Sequence, residues 1–173
     1  MTETHIPSAV SDAEADMLGR LARNQDVLEF GSQYGRSTIA LARFARSVHS
    51  VDWHRGDAFC AGGESLQPLL DNLRKAGVED KVAVHVSGFT VSASAFKPEY
   101  FGFAFIDGAH DAASVYLDLS TAWPLVQIGG RIALHDYGLF GVKDGIDRWI
   151  TEDSQRCALE QVVETLAVVR KRA

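Results

Sequence analysis

At 173 residues the chain is long enough for one domain with a single hydrophobic core, and its 46% hydrophobic and 23% charged residues are typical of a globular protein. A formal net charge of -6 disfavours binding to nucleic acid, which is itself an anion. No apolar run approaches the ~20 residues that a membrane-spanning helix needs. The basic stretch at 170–172 is interpreted as a solvated tail. We therefore predict a single domain over 1–173 that binds neither nucleic acid nor membrane.

The two cysteines, Cys60 and Cys157, lie far apart and form no metal-binding or redox spacing. The N-terminal stretch "MTETHIPSAVSDAEADM" lacks the apolar core that a signal peptide needs. The cysteine pattern suits a reducing compartment, with a pairing of the two cysteines as the alternative, and together with the missing signal peptide it leads us to expect a cytoplasmic protein.

Helices and strands alternate along the chain. Residues 11–24, "SDAEADMLGRLARN", begin with a Ser/Asp cap and carry apolar residues at four-residue intervals, which predicts an amphipathic helix. This N-terminal helical segment covers 1–24, and the core follows over 25–173. In chain order, the core is predicted to contain a strand at 26–30, a helix at 36–45, a strand at 47–53, a glycine-rich loop at 54–65, a helix at 66–77, strands at 81–86 and 101–107, a helix at 112–123, a strand at 131–136, a helix at 142–150, and one or two closing strands within 159–171.

This alternation predicts an α/β fold with a parallel sheet covered by helices on both faces. Right-handed crossovers then place every βα turn at one edge of the sheet, which is where ligands bind in open α/β folds. The motifs that follow the strands are therefore expected to meet at that edge.

The stretch "VLEFGSQYGRSTIALA" (27–42) places an acid and two glycines where the first strand ends. Gly31 has no Cβ, so it permits a tight turn and lets a ligand approach the backbone. Gly35 permits similar closeness at the start of the helix, and Ser37 is available to hydrogen-bond. The N–H groups at a helix N-terminus favour anionic ligand atoms such as a carboxylate, whereas Glu29 indicates that the ligand also carries a positive charge.

Asp52 ends the second predicted strand, 21 positions after Gly31. An acid at this place can accept both ribose hydroxyls of a nucleoside, as in dinucleotide-binding proteins. The glycine spacing, however, is Gly-x-x-x-Gly and not Gly-x-Gly-x-x-Gly, so the glycine that lets the backbone meet a pyrophosphate is missing. A nucleoside with a zwitterionic tail fits better than one with a diphosphate.

With these residues the chain resembles the class I S-adenosylmethionine-dependent methyltransferases, and most closely their small O-methyltransferase-like branch. Four motifs carry the resemblance, and they occur in the family's order and at its spacing: "VLEFGSQYGRST", "SVDW", "FAFIDGAH" and "GGRIALHDY". The resemblance implies a Rossmann-like, doubly wound, three-layer α/β/α fold, with seven mostly parallel strands and an antiparallel C-terminal strand.

The resemblance also implies the residues that bind S-adenosylmethionine. Asp52 would hold the ribose, Trp53 would lie beside the adenine, and Ser87 and Gly88 are candidates for the segment that passes the adenine. The methionine part would be cradled by Glu29, Gly31, Ser32, Gly35 and Ser37.

Two polar motifs, "IDGAHD" and "LHDY", leave the fourth and fifth predicted strands, which are neighbours in this sheet order. We therefore expect four catalytic side chains near the transferable methyl group: Asp107, His110, His135 and Asp136. Two carboxylates and an imidazole can bind a divalent cation such as Mg²⁺, which would lower the pKa of a substrate hydroxyl and align its oxygen. Methyl transfer is a direct displacement, so alignment and deprotonation are most of what the protein must supply.

The resemblance to metal-dependent O-methyltransferases implies that Asp107 and Asp136 are metal ligands. Those enzymes commonly have a third oxygen ligand just after the second acid, where this chain has Tyr137. Three alternatives stay open: a metal site completed by His135 or His110, one of these histidines as a general base without metal, and Asp107 as a contact of the cofactor's amino group.

The sequence thus predicts an S-adenosylmethionine-dependent methyltransferase that acts on a small molecule, most readily on a hydroxyl oxygen. Acceptor contacts are expected from the N-terminal helix, the loops after Trp53 and Gly88, and "YGLFGV" after Asp136, with a second subunit of a homo-oligomer as a further source. The alternatives are an NAD-dependent oxidoreductase, which the missing glycine disfavours, and a non-catalytic cofactor-binding module, which would not need acids and histidines at two strand ends.

Overall fold

The computed structural model describes residues 6–56, 63–152 and 155–173. Cys60 and most of the predicted loop at 54–65 therefore lie outside the described residues. Within the described part of the chain, no helix combines the length and apolar character needed to cross a bilayer.

Six α-helices and seven strands are present among the described residues, in the predicted order apart from one additional helix. The helices are α1 (Asp12–Ala22), α2 (Arg36–Ala42), α3 (Leu66–Ala76), α4 (Phe89–Ala93), α5 (Ala112–Ala122) and α6 (Phe140–Glu152). The strands are β1 (Asp26–Phe30), β2 (Ser47–Asp52), β3 (Val82–Val86), β4 (Phe101–Ile106), β5 (Val126–Leu134), β6 (Cys157–Val163) and β7 (Leu166–Lys171). Short 3₁₀ turns at Glu79–Lys81 and Trp123–Leu125 precede β3 and β5.

The seven strands form one sheet in the order β3-β2-β1-β4-β5-β7-β6. β1 pairs in parallel with β2 and β4, and the parallel pairing continues to β3 and β5 at either side. β7 runs antiparallel to both of its neighbours, β5 and β6. The predicted mostly parallel sheet with an antiparallel C-terminal strand is confirmed.

Two apolar cores cover the two faces of the sheet. One contains side chains of α5 and α6, such as Leu119 and Ile146, packed against Phe30 and Ile132 of the sheet. The other contains side chains of α1, α2 and α3, such as Leu18, packed against the opposite face. Burial of both faces explains why β4 is apolar throughout, and the predicted three-layer α/β/α arrangement is confirmed.

The structure differs from the sequence prediction at several element boundaries. β5 begins at Val126 rather than at 131, because Gly129 and Gly130 lie in a bulge of the strand, where the register with β4 shifts, and not in a turn before it. Helix α4 was not predicted, and α2 ends at Ala42 rather than at 45. The closing segment forms a complete hairpin, β6 and β7, whose turn includes Glu164 with a φ of 52°.

The predicted solvated tail at 170–172 is wrong for Lys171. This side chain lies at the end of β7 and is buried, and its ammonium group donates hydrogen bonds to the carbonyl oxygens of Trp123 and Val126 at 3.1 and 2.8 Å. The aliphatic stem packs while the charged end finds carbonyl acceptors, which is how a lysine can be buried. The C-terminal strand is thereby tied to the start of β5.

Candidate active site

A cleft of about 320 Å³ opens at the edge of the sheet where β1, β2, β4 and β5 end. Ten of the predicted site residues line it: Gly31, Ser32, Ser37, Asp52, Trp53, Ser87, Gly88, Asp107, His110 and Asp136. Glu29, Gly35 and His135 are not among the lining residues and lie behind the walls. The structure thus brings ten of the thirteen predicted site residues to one cleft.

Gly31 forms the tight bend after β1. Its φ is 88°, and its N–H donates to the carbonyl oxygen of Val51 at 2.9 Å. A Cβ at this position would lie 1.9 Å from the carbonyl oxygen of Asp107, which is far inside van der Waals contact. Glycine is therefore required both by the backbone conformation and by the close approach of the loop that follows β4.

Gly35, the residue before α2, also has a left-handed backbone, with a φ of 91°. Its N–H donates to the carbonyl oxygen of Ser32 at 2.7 Å, which closes the bend. A Cβ here would lie 2.5 Å from the side chain of Leu69 on α3. The close neighbour of Gly35 is thus the packed helix α3. The predicted contact of Gly35 with a ligand stays a prediction.

Glu29 is completely buried below the bend. The hydroxyl groups of Ser37 and Thr38, in the first turn of α2, donate to its two carboxylate oxygens at 2.7 and 2.6 Å. Burial raises the pKa of Glu29 to about 7, although the hydroxyl hydrogen bonds oppose the shift. The side chain fixes the start of α2 from below, and its predicted contact with a ligand stays a prediction.

Asp52 connects the loops that follow β1 and β2. One carboxylate oxygen accepts hydrogen bonds from the backbone N–H groups of Ser32 and Gln33, both at 2.8 Å, and the other accepts from the N–H of His54 at 2.7 Å. The carboxylate lines the cleft and retains unused lone pairs. It therefore shapes the glycine bend and also presents an acceptor to a ligand.

The wall beyond Asp52 is formed by the predicted adenine-side residues. The indole of Trp53 is 53% exposed, and the guanidinium group of Arg55 lies 4.9 Å from the centre of its ring. Ser87 donates its N–H to the carbonyl oxygen of Asp52 at 3.2 Å, and the space beside Gly88 is open. The exposed indole and this unobstructed backbone segment both line the cleft, and their predicted contact with an adenine stays a prediction.

Three predicted catalytic residues converge at the other end of the cleft. Asp107, His110 and Asp136 each offer one metal-ligand atom, and these atoms lie within 4.8 Å of one another. Nε2 of His110 lies 2.9 Å from a carboxylate oxygen of Asp136. The imidazole of His135 beside the carboxylate, together with His110, holds the pKa of Asp136 below its ordinary value despite partial burial. We call Asp107, His110 and Asp136 the polar cluster.

His135 lies behind the polar cluster and is buried. Its Nδ1 is 3.2 Å from Asp136 Oδ2 and 3.6 Å from Asp107 Oδ1, while its Nε2 is 3.1 Å from Glu14 Oε2. Burial alone would lower the pKa of His135, but the carboxylates of Asp107 and Asp136 outweigh it and raise the pKa to about 11. This geometry favours a protonated His135, whose positive charge holds the two acids in place. It disfavours His135 as a base that contacts the substrate.

Tyr137, at the position where metal-dependent relatives have a third oxygen ligand, points elsewhere. Its hydroxyl donates to Asp147 on α6 at 2.7 Å, and its N–H donates to the carbonyl oxygen of Thr165 at 2.9 Å. The third member of the polar cluster is therefore His110, one of the two histidines considered from the sequence.

Several lining residues were not predicted from the sequence. Gln33, Tyr34 and Arg36 lie inside the glycine motif, so the motif itself was the available signal, and Phe89 directly follows Gly88. The segment at 7–9 closes one side of the cleft, where Arg36 donates to the carbonyl oxygen of Val10 at 2.8 Å. No sequence pattern indicates that this segment folds over the edge of the sheet.

Comparisons with known proteins agree with this arrangement. A family model described as a methyltransferase domain matches residues 28–137, more than half of the chain. The fold is similar to that of the O-methyltransferase TomG from Streptomyces achromogenes, involved in tomaymycin synthesis and solved with SAM, at 20% identity and a TM-score of 0.76, covering 95% of this chain and 82% of TomG. It is also similar to an O-methyltransferase from Bacillus cereus solved with SAH, at 21% identity and a TM-score of 0.75, covering 94% and 82%. A search among curated proteins finds no match.

The raised pKa of Glu29 predicts a pH-dependent stability. Because the folded-state pKa, about 7, exceeds the ordinary value of 4.5, the unfolded chain loses this proton first, and the free energy of unfolding falls as pH rises from about 5 to 7. Glu29→Gln should lack this decrease in the free energy of unfolding. The decrease amounts to a few kcal/mol, at about 1.4 kcal/mol per pKa unit. Urea denaturation of both proteins between pH 5 and 8 should therefore give diverging curves.

The exposed Glu79→Gln is the matched control and should follow the wild type at every pH. Parallel curves for the wild type and Glu29→Gln would show that Glu29 is ionised in the folded protein at neutral pH.

Proposed function

The chain belongs to the methyltransferase-domain family and is a class I S-adenosylmethionine-dependent methyltransferase, and on this premise we propose that it methylates a hydroxyl oxygen of a small molecule. The observation that carries the proposal is the polar cluster, which lies at one end of a cleft whose other parts suit a nucleoside with an amino-acid tail. The family match favours methyl transfer over nicotinamide-dependent oxidation and over a non-catalytic module.

We place the cofactor along the cleft by the chemistry of its walls. The carboxylate of its methionine part would face the bend at Gly31 and the start of α2, where backbone N–H groups favour anionic atoms. The ribose hydroxyls would donate to Asp52, and the adenine would lie between Trp53 and the segment at Ser87 and Gly88. This orientation directs the sulfonium methyl group toward the polar cluster.

The reaction forms one bond and breaks another in a single displacement. The acceptor oxygen bonds to the methyl carbon as the sulfur–carbon bond breaks, S-adenosylhomocysteine leaves, and the hydroxyl proton passes to the polar cluster. Asp107 and Asp136 can accept a hydrogen bond from that hydroxyl and hold its oxygen in line with the methyl group. His135 keeps the two carboxylates side by side from behind.

The polar cluster fits a divalent cation, because its donors are two carboxylates and one imidazole at compatible distances. Asp107, His110 and Asp136 would hold the ion. When bound, it would lower the pKa of the acceptor hydroxyl and so favour the reactive alkoxide. The divalent cation and the small-molecule acceptor are both part of the proposal. The homo-oligomer predicted from the sequence stays a prediction.

Asp52→Ala tests the proposed place of the ribose. Loss of hydrogen bonds to a charged acceptor should raise the Kd for S-adenosylhomocysteine at least about tenfold, while the melting temperature falls by only a few degrees. Isothermal titration calorimetry measures the affinity. Asp26→Ala removes an acid from the opposite edge of the sheet, where it binds Arg46 and Ser47, and should leave the Kd unchanged. An unaltered Kd for Asp52→Ala would refute the ribose assignment.

Asp136→Asn tests the polar cluster. The wild type should release S-adenosylhomocysteine from S-adenosylmethionine with an acceptor from a panel of catechol, phenol, benzyl alcohol and an aliphatic alcohol. Asp136→Asn should lower kcat by about 100-fold or more while the Kd for S-adenosylhomocysteine changes less than about twofold. Mg²⁺ or Mn²⁺ added alone should bind to the wild type, and not to the variant, in calorimetry.

The control for this experiment is Asp144→Asn, which removes the same charge from the exposed face of α6 and should keep wild-type kcat. An equal loss of kcat and cofactor affinity in Asp136→Asn would assign Asp136 to the cofactor pocket or the scaffold.

A further inference from the structure

Glu14 on α1 is buried, with 2% of its surface exposed, although it lies on the outer, N-terminal helix. Its carboxylate accepts the N–H of Ser11 at 2.9 Å and both the N–H and the hydroxyl of Thr165 at 3.0 and 2.7 Å. Nε2 of His135 lies 3.1 Å from Oε2, the oxygen that also accepts the Ser11 N–H, whereas Thr165 donates to Oε1. One carboxylate therefore joins the first helix, the hairpin of β6 and β7, and the end of β5.

The imidazole of His135 separates Glu14 from the polar cluster. Nε2 faces Glu14, and Nδ1 faces Asp136 and Asp107 at 3.2 and 3.6 Å. Because carboxylates lie on both sides of the ring, the orientation of His135 depends on Glu14 as well as on the two acids at the cleft.

We propose that Glu14 is a positioning residue for methyl transfer: it holds His135 in the orientation that keeps Asp107 and Asp136 together at the acceptor end of the cleft. This inference rests on the proposed function. Glu14 does not contact the cleft itself, and it acts through the imidazole.

A second connection leads from Glu14 to Asp136 through the backbone. Thr165, bound to Glu14, accepts the N–H of Tyr137 on its carbonyl oxygen at 2.9 Å. Asp136 has a φ of 59°, a left-handed conformation that is unfavourable for a residue with a side chain and must be held by its surroundings. The Thr165–Tyr137 hydrogen bond is one such restraint, and it adjoins Asp136 directly.

Helix capping alone does not account for Glu14. Glu14 and Ser11 form a reciprocal capping box at the start of α1, and in that motif glutamine serves as well as glutamate. A solvent-exposed glutamate would be sufficient for the cap. Glu14→Gln therefore preserves the cap but places an amide N–H₂ or a neutral oxygen against His135, whereas Ser11→Ala weakens the cap and leaves the contact with His135 intact.

The experiment compares these two variants with the wild type, using the acceptor of the panel above that the wild type methylates fastest. Glu14→Gln should lower kcat about tenfold, the change produced by losing one charge-assisted contact, with KM for the acceptor and the Kd for S-adenosylhomocysteine within about twofold of wild type. Ser11→Ala should lower the melting temperature and keep wild-type kcat. Wild-type kcat in Glu14→Gln, or an equal fall of kcat in both variants, would overturn the proposal.

An NMR measurement tests the contact between Glu14 and His135 independently of turnover. In ¹⁵N-labelled protein, the His135 ring should show a hydrogen-bonded Nε2 proton, assigned by its loss in His135→Gln, that shifts in Glu14→Gln and not in Ser11→Ala. If Glu14→Gln does not fold, the absence of this proton in the wild type overturns the proposal. If the wild type methylates no acceptor, the proposed function fails, whereas the spectrum still decides whether Glu14 orients His135.

Discussion

The site depends on the close approach of two strand ends, β1 at Gly31 and β4 at Asp107. The carbonyl oxygen of Asp107 occupies the space that a side chain at position 31 would need, and the N–H of Asp107 donates to the carbonyl oxygen of Phe30 at 2.8 Å. The glycine bend and the polar cluster are therefore parts of one backbone junction. The bend and the acids therefore line the same cleft.

Electrostatics at the cleft is arranged in two layers. The surface layer presents carboxylates, Asp52 at one end and Asp107 and Asp136 at the other. Asp52 accepts hydrogen bonds from backbone N–H groups, and the other two acids lie against the imidazole of His135. The layer below contains Glu29, whose pKa burial raises, and the cationic His135. The positive charge of His135 beside Asp107 and Asp136, and the proton that Glu29 holds more tightly than an ordinary glutamate, reduce the repulsion among the acids at the surface.

The fold and the part of the cleft lining at the strand ends could be predicted because local patterns determine them, whereas the segment at 7–9 carries no such pattern. Glycines and acids at strand ends indicate both the turn and its chemistry, so Gly31 and Asp52 were identified from sequence. Glu14 could not be found, since it meets His135 across 121 positions of sequence, and no local pattern distinguishes a buried capping glutamate from an exposed one. The start of β5 was misplaced because Gly129, in a bulge, is locally indistinguishable from a glycine in a turn.

We propose that one cleft holds S-adenosylmethionine with its reacting end at the polar cluster. A crystal structure with the product S-adenosylhomocysteine tests it most directly. We expect the ribose hydroxyls on Asp52, the amino-acid part in the bend at Gly31, and the sulfur directed toward Asp107 and Asp136. An empty cleft, or a ligand whose adenine rather than its sulfur faces those acids, would contradict it.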